Sequence, residues 1–455
     1  MLLSTDQLTL LHQCRELLAG GFSEFPVIPD DPVSSEMQMV LSKTAHRLRD
    51  NFPYDHPYYL GQMLRPPHPV ALLAYSLAMV INPNNHAHDG GRATSAMELE
   101  VVSQLAQMFG WQTHLGHLCS GGTIANFEAL WVARELTNGR GVAASAQAHY
   151  THERLSRVLG VPFHTVQTDH AGRMDLIHLE KLLQEKSIGT VVATLGTTGL
   201  GATDPVDQLV ALREKYSFRL HVDAAYGGYF RLSTELPATT FQAFQAMSAA
   251  DSIVIDPHKH GLQPYGCGCV LFRDRSVAAI YHHESPYTYF TSDDLHLGQI
   301  SLECSRAGAA AAALWATHQL FPLTTSGEFV QDLNRCRDAA LKLANWIRRQ
   351  SSFQLVTEPE LDIVVWMVNA KTSRESSELA QRYFDAAATH LIHLALVTLP
   401  RSQVEQLQGI HNWTSETVTC LRACVIKPEH QKWMPAIVGA LGLAREEVFG
   451  LSRPS

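Results

Sequence analysis

Long apolar runs are missing from this chain, and so are long basic ones. The longest apolar stretch, residues 70–81, contains Tyr75 and Ser76 and falls short of the ~20 residues that cross a bilayer, so a buried helix is expected there. Lys and Arg number 35 against 44 Asp and Glu, a formal charge of −9, and they are dispersed. That argues against a nucleic-acid partner, because a polyanion is held by concentrated cations that displace its counterions. Cysteine is scarce, eight in 455 residues, and neither Cys267/Cys269 nor Cys420/Cys424 has the spacing of a paired zinc ribbon, so buried thiols are expected. No period of 20–50 residues recurs, which excludes a solenoid. Three close histidine pairs, His86/His88, His149/His152 and His258/His260, lack a Cys or carboxylate companion at a recognised interval, and no metal is expected. The N-terminus has no basic start, apolar centre and small-residue cleavage site in succession, so a cytoplasmic protein is expected.

What is present is a globular composition, 45% hydrophobic and 17% charged, long enough for two to four units at roughly 100–200 residues each. Between about residues 95 and 275, helical patterns (98–109, 124–136, 206–216) alternate with short β-branched runs at 190–195, 219–223, 252–256 and 270–272. That alternation predicts an α/β unit with a mostly parallel sheet flanked by helices. From about residue 326 the pattern changes to a long helix (328–349), a strand (363–368), a helix (376–390) and a strand (418–425), a small α+β unit. The first fifty or so residues place leucines at helical intervals but carry too little apolar surface to fold alone, as an arm packed on a neighbouring chain would. The expected division is 1–55 as a helical arm, 56–325 as the large domain and 326–455 as the small C-terminal domain.

Three short segments carry chemistry. Lys259 follows directly on an apolar strand and a Pro-His turn, where a desolvated amine becomes a nucleophile able to form a Schiff base; the plain alternative is a lysine that snorkels to solvent. Asp223 closes a strand, on the edge where open α/β sheets bind ligands, and is suited to pair with a cationic ring nitrogen; a helix N-cap is the alternative. Ser120-Gly121-Gly122-Thr123 stands before a helix, where glycines admit an anion close to free N–H groups; an ordinary capped helix start is the alternative. A phosphate loop, a strand-end acid and a later lysine, in that order, are what pyridoxal phosphate requires.

The segments Leu118-Cys-Ser-Gly-Gly-Thr-Ile-Ala-Asn126, Ala148-His149, Ala193-Thr-Leu-Gly-Thr-Thr-Gly199, His221-Val-Asp-Ala-Ala-Tyr226 and Asp256-Pro-His-Lys259 resemble the group II pyridoxal-phosphate-dependent amino-acid decarboxylases. This family includes aromatic-amino-acid, glutamate and archaeal tyrosine/aspartate decarboxylases, and the resemblance runs from about residue 56 to 428. It implies a fold-type I enzyme in which Lys259 holds the cofactor as an internal aldimine, Asp223 keeps the pyridine nitrogen protonated and Ala225 packs under the ring. It further implies that His149 stacks on the opposite ring face and helps seat the substrate. His258 corresponds to the family's phosphate-side or substrate-side histidine, Thr198 to the partner of the phenolic oxygen, and Ser120, Gly121, Gly122 and Thr123 to the phosphate holders. Arg422 stands where members keep an arginine near the substrate carboxylate, a role suited to a bidentate guanidinium. Arg306 resembles a structural arginine.

One departure concerns the proton donor. Many members carry a tyrosine on a mobile loop that protonates the α-carbon, whereas residues 290–300 here contain none; Tyr287, Tyr289 and His296 are the candidates. The implied reaction is decarboxylation of an L-amino acid to an amine and carbon dioxide. A carbon–carbon lyase or a decarboxylating aldehyde synthase uses the same cofactor residues, and an inactive dimeric homologue with a binding role would have no need of both Lys259 and Asp223. The family implies a homodimer with shared active sites, a small-molecule substrate, and neither a nucleic-acid nor a membrane partner. Aromatic and acidic amino acids both fit.

Overall fold

The computed structural model describes residues 3–26, 32–282 and 296–450. Seven strands form the large sheet: β1 (Leu115–Cys119), β2 (Gly141–Ser145), β3 (Phe163–Val166), β4 (Ile188–Thr194), β5 (Arg219–Asp223), β6 (Ser252–Ile255) and β7 (Gly268–Phe272). Their order is β1-β7-β6-β5-β4-β2-β3, parallel except for β7, which runs antiparallel to β1 and β6. All but β3 and the first residue of β5 are buried throughout, as strands covered on both faces should be. The helices expected at 98–109, 124–136 and 206–216 are present as Arg92–Met108, Gly122–Leu136 and Val206–Lys215.

Beyond the long helix Glu328–Arg348, strands β8 (Phe353–Leu355), β9 (Ile363–Val368), β10 (Ala370–Thr372), β11 (Ala395–Pro400), β12 (Ile410–Asn412) and β13 (Thr417–Cys424) follow. Four of them make an antiparallel sheet, β11-β13-β9-β8. Alternation along β9 divides two cores: Ile363, Val365 and Met367 join the core of the large sheet, while Val364, Trp366 and Val368 face the outer helices. The small sheet thus shares its inner face with the large one.

Two features differ from the sequence expectation. Residues 70–81 are not a buried helix: the helix Pro69–Met79 packs one side on the Ala-rich helix Gly308–Leu320, burying Ala71 and Ala78, while Met79, Val80 and Ile81 stay exposed. Residues 58–60 join the small sheet, with the Leu60 N–H on the His393 carbonyl at 2.8 Å and the Cys424 N–H on the Leu60 carbonyl at 2.8 Å. Buried Lys427 donates to the carbonyls of His56 and Tyr59 at 3.0 and 2.7 Å, tying that segment down. The N-terminal helices Thr5–Gly20 and Ser35–Leu48 bury no residue, and Leu8, Leu17, Leu41 and Leu48 lie open. Among the described residues no helix is long and apolar enough to cross a membrane.

Candidate active site

The carboxyl ends of β2, β4, β5 and β6 open on a cavity of about 400 Å3, the end of a parallel sheet where ligands bind. It is lined by Ser120, Gly121, Gly122, Thr123, His149, Thr198, Asp223, Ala225, His258 and Lys259. One cavity therefore gathers every residue that the sequence marked for the cofactor.

Its anion-seeking end is built by close backbone approach. Gly121 has φ +152°, which side-chain-bearing residues rarely adopt, and a Cβ on Gly122 would stand 2.7 Å from Asp256 Oδ2. A Cβ on Gly268 would stand 2.6 Å from the Gly121 Cα, so β7 presses the loop from behind. No side chain caps the helix Gly122–Leu136, leaving its first N–H groups and its positive dipole end toward the cavity.

Asp223 lies at the buried floor. Its Oδ2 accepts from His152 Nε2 at 2.8 Å and from Asn126 Nδ2 at 3.3 Å, and its Oδ1 accepts from the Ala225 N–H at 3.1 Å. Asn126 is fixed in turn, donating to the Gly122 carbonyl at 2.8 Å and accepting from His221 Nε2 at 2.8 Å, while His221 Nδ1 meets the Ser252 hydroxyl. Burial alone would raise the Asp223 carboxyl, but the His152 hydrogen bond and the neighbouring charges, Lys259 included, outweigh it and hold the group well below the usual carboxylate range. Burial drives His221 down to about 3, so it is a neutral link in this chain.

Lys259 is neither sealed from solvent nor alone. Its side chain is 22% exposed and its Nζ stands 3.1 Å from Asp256 Oδ2, because Asp256 leaves the same strand one helical turn earlier. The other oxygen of Asp256 is buried without a hydrogen-bond partner among the described residues. His258 is pinned by Nδ1 on the Cys267 carbonyl at 2.8 Å, and a Cβ on Gly121 would stand 3.4 Å from its ring, which places it at the loop end of the cavity. Burial lowers both His258 and His149, favouring neutral imidazoles. Of the two threonines in the Gly196-Thr-Thr-Gly turn, Thr198 faces the cavity, while buried Thr197 accepts from the Ala202 N–H.

Arg422 does not line the cavity but abuts it. Its guanidinium donates to the Thr198 carbonyl at 2.7 Å and the Gly61 carbonyl at 3.4 Å, and its buried Nε has no partner among the described residues. His296 is not brought to the cavity: it is buried, its Nδ1 accepting from the His88 N–H at 3.0 Å. Tyr287 and Tyr289 lie outside the described residues. Arg306 is buried between Glu98 and the Leu118 carbonyl, bracing β1 from behind.

Asn126, His152, Asp256 and Tyr265, the last of which also lines the cavity, have no role assigned from sequence. The signal for two of them was present: Asn126 lies one helical turn after Gly122, and His152 three residues after His149, a spacing that suggests metal ligands before it suggests a partner for Asp223. In the structure His152 is spent on Asp223, and His260, of the other cavity-side pair, on Asp362 Oδ2 and the Tyr226 carbonyl. Among the described residues no three His, Cys, Asp or Glu side chains cluster as metal ligands would.

The donor set fits a phosphate-bearing pyridine aldehyde: an uncapped helix end for the phosphate, an ionised carboxylate for the ring nitrogen and a primary amine for the aldehyde. Comparison with known proteins agrees. The model of the pyridoxal-dependent decarboxylase conserved domain matches residues 32–369. An L-tyrosine decarboxylase of Enterococcus faecium is 29% identical, over 77% of this chain and 75% of its own length. A probable L-tyrosine/L-aspartate decarboxylase of Methanothermobacter thermautotrophicus is 31% identical, over 68% of this chain and 82% of its own. The crystal structure of mouse CSAD in apo form superposes with a TM-score of 0.77 at 21% identity, covering 97% of this chain and 92% of that one. The chain belongs to the pyridoxal-dependent decarboxylase family and is a pyridoxal-phosphate-dependent amino-acid carboxy-lyase of the fold-type I architecture.

Proposed function

We propose that Lys259 carries the cofactor and that the cavity around it removes the α-carboxylate of an L-amino acid, with tyrosine and aspartate the first substrates to try. One observation carries the reading: the Lys259 amine, the ionised Asp223 and the uncapped helix end all face the same cavity. The substrate preference is supported by the names of the relatives, which include tyrosine and tyrosine/aspartate decarboxylases.

When bound, pyridoxal phosphate supplies a ring that accepts the electron pair of the breaking Cα–carboxylate bond. The chain's own groups prepare that step. Residues 120–123 and the first N–H groups of the following helix hold the phosphate, with His258 beside them. Asp223, kept anionic, holds a proton on the ring nitrogen, and Ala225 and His149 bracket the ring. Thr198 offers its hydroxyl to the phenolic oxygen. Asp256 would hold the Lys259 amine whenever it is free. Arg422, which spends two of its five N–H donors on the Thr198 and Gly61 carbonyls, orients a substrate carboxylate against the Thr198 edge.

Borohydride reduction of the holoenzyme followed by peptide mass mapping tests the attachment, with a pyridoxyl mass on Lys259 expected. Mass detection of the products from a panel of L-amino acids tests the reaction: amine and carbon dioxide support it, and an aldehyde or a cleaved carbon chain replaces it with the synthase or lyase chemistry. The exposed leucines of the two N-terminal helices support a homodimer in which residues 1–55 clasp a second copy, checked by light scattering. The division at 56 and 326 is retained, with residues 58–60 crossing to the small sheet. Eight unpaired cysteines favour a reducing, cytoplasmic setting.

A further inference from the structure

At the opposite end of the large sheet from the cofactor cavity lies a second concavity, of about 390 Å3. Four arginines line it: Arg140 just before β2, Arg213 on the helix preceding β5, Arg219 opening β5 and Arg273 just after β7. Parallel strands bring their amino ends together, and β7 brings its carboxyl end because it alone runs backwards, so the clustering follows from the topology.

One carboxylate, Asp251, stands among them, and it is already engaged. Its Oδ2 accepts from Arg213 at 3.2 Å and from the Leu220 N–H at 2.8 Å, and its Oδ1 from Arg273 at 3.4 Å. Arg140 spends one bond on the Ser217 carbonyl, and Arg213 another on that of Ala249. Arg219, half-buried, has no hydrogen-bond or ion-pair partner among the described residues; Asp274 near it is bound to Ser276. Each guanidinium has five N–H donors, so most of those around the groove are unspent. In a chain with a formal charge of −9 this is a concentrated positive patch with a half-buried member that makes no bond to the described residues.

We propose that this groove binds a compact oligophosphate, a chain of two or three linked phosphates, independently of the catalytic cavity. Planar guanidinium forks match phosphate oxygens in pairs, and two or more linked negative charges balance what Asp251 leaves uncompensated. The volume lies within the range of small-ligand sites. Arg219 and Asp223 stand at the two ends of one five-residue strand, so the two sites are distinct and one does not block the other.

Titration calorimetry of the holoenzyme with inorganic tripolyphosphate at 150 mM salt tests this. The expected result is one site per chain, weakened at least tenfold in Arg219→Gln and in Arg273→Gln and unaltered in Arg382→Gln, an exposed arginine elsewhere. Arg140→Gln, whose side chain makes a single internal bond, serves as a variant that keeps its fold, and an unchanged cofactor absorption band verifies it in every protein. Absence of binding overturns the proposal. So does binding that Arg140→Gln and Arg219→Gln leave intact, or binding seen in the apoenzyme and abolished by pyridoxal phosphate, which would place the anion in the loop at residues 120–123.

Discussion

Replacing His152 with leucine removes one hydrogen bond from the carboxylate on which the cofactor's ring nitrogen depends. Asp223 keeps the Asn126 amide at 3.3 Å and the Ala225 N–H at 3.1 Å but loses the 2.8 Å bond from His152. A hydrogen bond to a charged group is worth about 1.5–3 kcal/mol, which corresponds to an upward shift of roughly one to two pH units in the carboxyl. Burial, the largest influence on Asp223, pushes in the same direction and is then less opposed. Apoenzyme affinity for pyridoxal phosphate is expected to fall about 10- to 100-fold. The sign in pH follows: raised by one to two units from well below the usual carboxylate range, the variant's carboxyl still keeps its charge at pH 6 and at pH 8, so the deficit is expected to be about equal at both and to widen only in acid, where the variant protonates before the parent. Fluorescence titration of apoenzyme at both pH values measures it, with His152→Gln restoring part of the affinity through its amide donor. A His152→Leu protein with the parent's affinity and pH profile would refute the assignment.

In Gly122→Ala the new methyl meets Asp256 Oδ2 at 2.7 Å, so the carboxylate must move off Lys259; cofactor affinity is expected to drop at least tenfold with little change in Tm, and an unchanged affinity counts against the close-approach argument. Arg422→Lys loses the fork but keeps the charge: KM for the preferred amino acid should rise about tenfold or more, as the loss of a charge-assisted bond implies, while cofactor affinity stays near the parent's. Burial lowers Lys427 to about 7 from 10.5, so above pH 7 the unfolded chain binds more protons than the folded one and stability rises with pH. Urea unfolding between pH 7 and 8.5 should show that rise in the parent and its loss in Lys427→Met; identical slopes would exclude the amine as its source.

What could be read from the sequence was what is local. The βαβ alternation, the strand-end acid and the glycine-opened helix start are each encoded within a few neighbouring residues, and the structure gathers them because parallel strands carry their carboxyl ends to one edge. Contacts between distant segments were illegible. Nothing near Asp223 announces that His152 and Asn126 will support it, and nothing near Lys259 shows that Asp256 will be turned toward its amine by Gly122 and Gly268. The apolar run at 70–81 misled for a related reason: hydropathy reports a wish to be covered, and here the helix Pro69–Met79 packs on one side only and leaves Met79, Val80 and Ile81 exposed.

The seating of residues 58–60 on the small sheet bears on the order in which the protein is made. The large sheet has all its strands once residue 272 has been synthesised, but Leu60 finds its partners only at His393 and Cys424. At roughly 5–20 residues per second, that segment waits on the order of 20–70 seconds after leaving the ribosome before its hydrogen bonds exist. During that interval the nascent enzyme carries an unpaired Tyr58-Tyr59-Leu60 edge next to two helices with open leucines, so chaperone demand in the cell should track the pace of translation between residues 272 and 424.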